Sequence, residues 1–521
     1  MTGTRTLGMG RTMGTMAGSL ARRAALVAAL ASGALTACGL PPPPPPTNPM
    51  RFLLVNDVYV LDTLADGSGG LARAATVRRR IAAEGPTLFV LAGDVLSPSL
   101  LSKYYSGKQM IAGLNAAKLD YATFGNHEFE LDRDTLVARI GASSFKWLSA
   151  NCTESSGAPF PGVLAWDTVR SRDRLIGIFG LTLQGSYRSY VRCADPDSAA
   201  KAAIDTLGKL GAEYIVGLTH QTIAADRALL RREPALQLIL GGHEHEAASE
   251  IIDGRHILKA DANSRSAQFA TVWGGPGAWR SAVRLLQLDR GIAPDTAVAR
   301  VTAAWNDSLS RRLGPASVIG TAPEPVDARD AVSRREESPI GRLVTDAMRL
   351  GTGADVALLN SGTLRLDDVI PAGPVTNYTL ESLFLFPDEA RVVVFPMSGS
   401  RLRAVLEQGV SEQSVGTGAF LQVSGVSFSY DPSRPSGSRI AGEIRRENGM
   451  PLRPGDVVRV ALNVFPACEG GDGYQIGEAA PACAERQSGP RAADLLVGHV
   501  RDRLEGRMTV PAPGRIVRQS P

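Results

Sequence analysis

The 521-residue sequence predicts a layered α/β domain followed by a second domain that mixes helices and strands. Three observations carry this reading. Between about residues 51 and 290, short apolar runs alternate with amphipathic stretches, as strands alternate with crossover helices. Side chains able to bind metal stand just after those apolar runs, where open α/β sheets build their sites. From about residue 332 to 518 a fresh series of apolar segments and Gly-rich turns begins, with no internal repeat of 20–50 residues. Hydrophobic residues make up 44% and charged residues 21%, which excludes a disordered chain, a fibrous repeat and a polytopic membrane protein.

In chain order, residues 1–37 read as a secretion signal. Arg5, Arg11, Arg22 and Arg23 precede an apolar run over 24–35, too short to span a bilayer as a helix. Leu35-Thr36-Ala37-Cys38 resembles the bacterial lipoprotein cleavage box, which implies cleavage before Cys38 and lipidation of its thiol. The other reading is a plain secretory signal with an incidental cysteine. Prolines 41–46 favour stiff polyproline II, so 38–49 reads as a tether holding a folded body off a membrane. Removing the four leader arginines from 56 basic residues leaves 52 against 52 acidic ones, so charge offers no basis for binding a nucleic-acid polymer.

Strands are expected over 52–55, 88–91, 176–180, 214–218 and 236–240, and helices over 71–83, 107–117 and 199–210. The looser stretch 291–330 reads as a connecting helix and linker. The second domain has a helix over 340–349 and strands over 356–359, 391–396 and 457–462. The expected divisions are a signal (1–37), a tether (38–49), a first domain (50–295), a linker or hinge (296–330) and a second domain (331–521). Apart from Cys38, the chain has Cys152, Cys193, Cys468 and Cys483, an even number in an oxidising compartment. Of three pairings, closeness in sequence favours Cys152–Cys193 and Cys468–Cys483.

The chemistry lies in five segments: Asn56-Asp57-Val58-Tyr59, Gly93-Asp94, Gly125-Asn126-His127-Glu128, Gly217-Leu218-Thr219-His220 and Gly242-His243-Glu244-His245. Carboxylates, imidazoles and an amide oxygen suit Zn, Mn or Fe more than Ca. His256 and His499 lie outside the series and read as structural.

This order of motifs resembles the calcineurin-like metallophosphoesterases over roughly residues 51–290. The resemblance implies a four-layer α/β/β/α sandwich and two divalent ions. Asp57, Asp94 and His245 would hold one ion; Asp94, Asn126, His220 and His243 would hold the other, with Asp94 bridging. Tyr59 stands where the superfamily usually has a histidine ligand, so the first site is either weakened or completed by a phenolate. His127 would sit over the phosphate as the group that stabilises the transition state or protonates the leaving oxygen, oriented by Glu130, where related nucleotidases more often have aspartate. Two cations about 3.5–4 Å apart lower the pKa of a shared water and clamp the phosphoryl oxygens.

The second half resembles the C-terminal domain of the 5′-nucleotidase family. The resemblance rests on Arg334-Arg335-Glu336-Glu337, Gly341-Arg342-Leu343, Asp346-Ala347-Met348, Asn360-Ser361-Gly362-Thr363-Leu364-Arg365, Phe420-Leu421-Gln422-Val423-Ser424-Gly425 and Gly470-Gly471-Asp472-Gly473-Tyr474. It implies that Phe420 and Phe465 stack on a base, worth about 1–3 kcal/mol per base. It places Asp472 on the ribose hydroxyls, Asn360 and Arg365 near the nucleoside and phosphate, and Arg334 as a further phosphate contact. It also implies a second domain that swings about a hinge near 310–330.

The activity implied is metal-dependent hydrolysis of nucleoside monophosphates, with UDP-sugars and cyclic nucleotides as further substrates, by an exported periplasmic or surface lipoprotein. Two alternatives stay open: the same fold acting on a non-nucleotide ester, as in sulfur-oxidation hydrolases, or a non-catalytic nucleotide-binding lipoprotein. Lipidation at Cys38 gives a direct test. A Cys38→Ser protein is expected to leave the membrane fraction on cell fractionation, and partitioning like wild type refutes the anchor.

Overall fold

Strand Met50–Val55 shows why the first half must be layered. Phe52 and Leu54 point into one core while Leu53 and Val55 point into another, so both faces of the strand are covered. The computed structural model describes residues 49–519 apart from 172, 186 and 387–389. The expected signal, Cys38 and the tether up to residue 48 lie outside the described residues.

Met50–Val55 belongs to a seven-stranded sheet in the order Arg280–Gln287, Ser266–Trp273, Met50–Val55, Thr87–Ala92, Tyr121–Thr123, Lys146–Leu148 and Val163–Leu164. From Met50–Val55 onward these strands run parallel. A second sheet has six strands, ordered Ala248–Ile252, Arg255–Lys259, Leu236–Gly242, Tyr214–His220, Arg174–Thr182 and Trp166–Ser171, and its inner members are parallel. The sheets pack face to face through Phe52, Leu54, Val90, Ile178, Val216 and Leu240. Helices Leu71–Ala83 and Lys108–Ala117 cover the outside of the first sheet, and Pro196–Lys209 and Ile223–Arg232 cover the second. The result is the α/β/β/α order the sequence implies.

Each expected strand of this half lies within an observed one. The helix expected over 199–210 starts earlier, at Pro196. Asp195 accepts the backbone N–H of Ser198, and Pro196 suits a first turn, where its missing N–H costs nothing.

The stretch 291–330, read as a connecting helix and linker, holds that helix. Helix Thr296–Leu313 is capped by Asp295 and buries Val298, Thr302 and Leu309 against the first half, with Trp305 edge-on to Tyr105 at 5.0 Å. Strand Val318–Ala322 then pairs with Gly373–Thr376 of the second half. The chain therefore crosses between halves at 314–317.

In the second half a four-stranded sheet runs Val392–Ser398, Val457–Asn463, Val356–Asn360 and Leu421–Ser424. Helix Pro339–Thr352 packs Ile340, Leu343 and Val344 onto one face, beside Ala357 and Leu359. Helix Gly399–Gly409 packs Leu402, Val405 and Leu406 onto the other, beside Val356 and Leu358. Cys152–Cys193 and Cys468–Cys483 form disulfides, the pairing that closeness in sequence favours. Among the described residues no helix is long and apolar enough to cross a membrane.

Candidate metal centre

Parallel strands end on the same side of a sheet, so the segments after Val55, Ala92, Thr123, His220 and Gly242 meet at one point. The backbone there is constrained. Asp57, Asp94, His243 and His245 all have positive φ, a sparsely populated conformation that persists only where the surroundings over-determine it. Two glycines are needed for close approach: a Cβ on Gly125 would lie 2.0 Å from Asp94 Oδ1, and one on Gly242 would lie 2.3 Å from the Ala92 carbonyl oxygen.

Asp94 is the hub. His220 Nε2 stands 3.2 Å from its Oδ2, the Tyr59 hydroxyl 3.1 Å and His127 Nε2 3.8 Å, while the His127 N–H donates to its Oδ1 at 2.9 Å. Asp57, Asp94 and His220 offer ligand atoms within 4.8 Å of one another. The second oxygen of Asp57 is fixed by the Asn56 amide at 2.8 Å and the His243 N–H at 2.9 Å. The His243 ring lies 5.2 Å from that of His220. His245 Nε2 is 3.4 Å from Asp57 Oδ1 and 3.0 Å from the Tyr59 hydroxyl.

This donor set fits divalent ions. His220 Nδ1 is 2.8 Å from the Ala92 carbonyl, which can only accept, so a proton sits there and, in the neutral ring that an ion would require, the lone pair sits on Nε2. That lone pair faces a carboxylate and makes no hydrogen bond; the Asn126 amide oxygen is likewise buried without a partner. Burial lowers the basicity of His220, but the Asp94 and Asp57 charges outweigh it and lift the ring to about 9. Burial and the neighbouring His220 push His243 down to about 4. Burial alone would raise the Asp57 and Asp94 carboxyls, yet the imidazoles hold both below their ordinary range. Two wholly buried carboxylates kept ionised in this way demand positive charge. Tyr59 has a hydroxyl pushed well above its ordinary value by burial and then by Asp94 and Asp57, so it is a neutral phenol until a cation arrives.

His127 is set apart from these groups. Its Nδ1 lies 2.6 Å from Glu130 Oε1, and Ser97 donates to the other Glu130 oxygen at 2.8 Å. Arg365 from the second half lines a cavity of about 420 Å³ together with Tyr59, His127 and His245. Its Nε is buried without a partner, and its guanidinium lies 5.2 Å over the Phe386 ring. Arg334 is paired with Asp330 and borders a neighbouring cleft beside His243 and His245. Asn360 donates to Asp472 at 2.7 Å and is itself held by Asn463 at 2.9 Å.

The two aromatic residues part company. Phe420 is 0% exposed and packs within the core of its own half, among residues such as Leu358 and Val423, so it has no free face for a base; the stacking role expected for it is corrected to core. Phe465 keeps partial exposure and lies against Gly471, where an added Cβ would come within 2.4 Å of its ring. It thus stands beside the turn that carries Asp472.

Residues 50–247 match the family model for calcineurin-like phosphoesterase, and residues 318–478 match that for the 5′-nucleotidase C-terminal domain. The chain belongs to the 5′-nucleotidase family of calcineurin-like metallophosphoesterases. As a member of the 5′-nucleotidase family it is a metal-dependent phosphoesterase. A snake venom 5′-nucleotidase of Naja atra is 24% identical over 505 residues, covering 86% of this chain and 94% of its own. A 5′-nucleotidase of Homo sapiens is 24% identical over 467 residues, 78% of this chain and 79% of its own. The solved 5′-nucleotidase precursor of Thermus thermophilus is 27% identical with a TM-score of 0.77, covering 91% of this chain and 100% of that one. The Thermus thermophilus sulfate thiohydrolase SoxB shares the fold, at 19% identity and a TM-score of 0.74 over 91% of this chain and 97% of its own.

Two residues that shape this 5′-nucleotidase-family centre have no role assigned from the sequence, Glu128 within a motif and Lys259 outside all of them. Glu128 is wholly buried, and its carboxylate accepts the N–H groups of Asp94 (2.9 Å), Val95 (2.7 Å), Leu96 (3.0 Å) and Gly125 (2.6 Å), tying two loops together. Lys259 is buried too; its ammonium donates to the carbonyls of Gln221 (2.6 Å) and Gly242 (2.7 Å) and pairs with Asp226 (3.0 Å) and Glu244. A single lysine inside the apolar run 257–260 is the signal that could have found it. Removing one member of a buried pair strands the other charge, at about 3–5 kcal/mol. Lys259→Met is expected to lose about that much stability in denaturant unfolding, and Lys259→Met with Asp226→Leu to recover part of it.

Proposed function

We propose that this protein hydrolyses nucleoside monophosphates to nucleoside and phosphate, as an exported protein anchored at Cys38. UDP-sugars and cyclic nucleotides fall within the same proposal. Its two disulfides accord with an oxidising compartment. One observation carries the catalytic reading. One oxygen of a single buried carboxylate, Asp94 Oδ2, has His220, Tyr59 and His127 at 3.1–3.8 Å, and Arg365 lines a cavity with two of them, Tyr59 and His127.

In this reading Asp57, Tyr59, Asp94 and His245 hold one ion, and Asp94, Asn126, His220 and His243 hold the other. The ions, Zn, Mn or Fe by donor type, supply Lewis acidity and an activated water. The separations of Tyr59 from Asp57, Asp94 and His245 run from 3.0 to 3.4 Å. Glu130 fixes Nδ1 of His127, which leaves Nε2 to protonate the departing oxygen. Arg365 and Arg334 offset phosphate charge. Asp472, oriented by Asn360, accepts ribose hydroxyls, and Phe465 provides the flat face for the base.

A second reading concerns the leaving group. The cavity beside His127 is walled by Leu61, Leu100, Leu101, Leu309 and Leu385, which favours an ester with an apolar alcohol. Phosphate release from nucleotides and from alkyl and aryl phosphates, with Mn²⁺, Zn²⁺, Co²⁺ and Mg²⁺, decides between the readings.

Asp94→Asn is expected to abolish turnover and metal binding together. His127→Asn is expected to keep the metal and lose about 10²–10⁴-fold in kcat. Unchanged hydrolysis in either variant refutes the assignment. Phe465→Ala is expected to weaken nucleotide binding by about 1–3 kcal/mol, measured as KM, while sparing a small aryl phosphate. Phe420→Ala is instead expected to lower stability by about 3–5 kcal/mol, measured by unfolding.

A further inference from the structure

We infer that Asp367 is a positioning residue for the metal centre: from the second half of the chain it fixes the ring of His245, so the first ion's site is complete only while the two halves are docked as they are here. The inference rests on the reading above that His245 holds an ion through Nε2.

Asp367 Oδ2 lies 2.8 Å from His245 Nδ1. An ionised carboxylate only accepts, so the proton sits on Nδ1 and the Nε2 lone pair is turned toward Asp57 and Tyr59. A carboxylate on the far nitrogen of a ligating imidazole sets its tautomer, orients its ring and raises its basicity. Three histidines of the centre have an acceptor for the proton on Nδ1. His220 takes it from the Ala92 carbonyl and His127 from Glu130, both within the first half. Of the three, His245 alone takes it from the second half, from a residue 122 positions away.

Asp367 is itself held in place. Its other oxygen accepts the Asp330 N–H at 2.9 Å, and its backbone is in the left-handed region with φ of 46°. It follows Arg365 by two residues, so one short loop carries both the arginine that faces the site and the clamp on the ligand. Separating the halves removes the clamp. By linkage, ion binding at His245 then favours the docked arrangement, and docking favours ion binding by the same factor. The neighbouring cross-half pair, Arg265 with Asp368 at 2.6 Å, touches none of the proposed ligands and provides a control.

The test is Mn²⁺ binding to the full mature protein by equilibrium dialysis, with thermal melts to confirm folding. Wild type is expected to bind two ions. Asp367→Ala is expected to weaken one of the two sites about 10–100-fold and leave the other unchanged. Asp367→Asn, whose amide oxygen still accepts the imidazole N–H, is expected to recover most of that loss, and it carries the comparison if the alanine variant does not fold. Arg265→Ala is expected to bind both ions as wild type does. Wild-type affinity in Asp367→Ala overturns the inference, as does an equal loss in Arg265→Ala. A wild-type protein with no affinity for Mn²⁺ overturns the metal reading itself and this inference with it.

Discussion

Two buried carboxylates, Asp57 and Asp94, impose the constraint from which the centre follows. Neither reaches solvent, and both stand at the ends of parallel strands in the left-handed backbone region. Isolated charges in such a place cost far more than the protein's net stability. They persist because imidazoles, backbone N–H groups and, in the proposed holo state, cations surround them. The glycines that flank them answer the same demand, since a Cβ on Gly125 would occupy the space of the Asp94 carboxylate.

Around that hub, buried polar groups brace loops that would otherwise have no reason to converge. Glu128 gathers four backbone N–H groups, and Lys259 reaches two carbonyls and two carboxylates. These networks draw their partners from separate loops, so each is rigid only as a whole. The second half reaches the same region through Arg365, which lines the cavity beside His127, and Asp367, which contacts His245, so one loop carries both.

Much of this was legible in the sequence because apolar runs and the ligands after them report strand ends directly. Asp57, Asp94 and His220 offer ligand atoms close together, and closeness in sequence named both disulfides. What was not legible has physical reasons. Phe420 sits in an apolar run, and such a run does not reveal whether an aromatic faces a core or a ligand. The connecting helix expected within 291–330 is Thr296–Leu313, and what its composition does not reveal is that it packs against the first half. Glu128 and Asp367 act through partners set by tertiary packing, and Asp367 meets His245 across 122 positions. No local pattern encodes such a meeting.

The two-sided burial of Met50–Val55 also bears on how the protein can vary. Register along this strand, with Arg51 opposite Thr87 and Val55 opposite Leu91, sets where Asp57 emerges relative to Asp94. Inserting or deleting one residue there would exchange the two cores and turn the aspartate away. Changes of length are therefore expected to be tolerated only in connections remote from these strand ends, which leaves the far turns as the places to graft new segments.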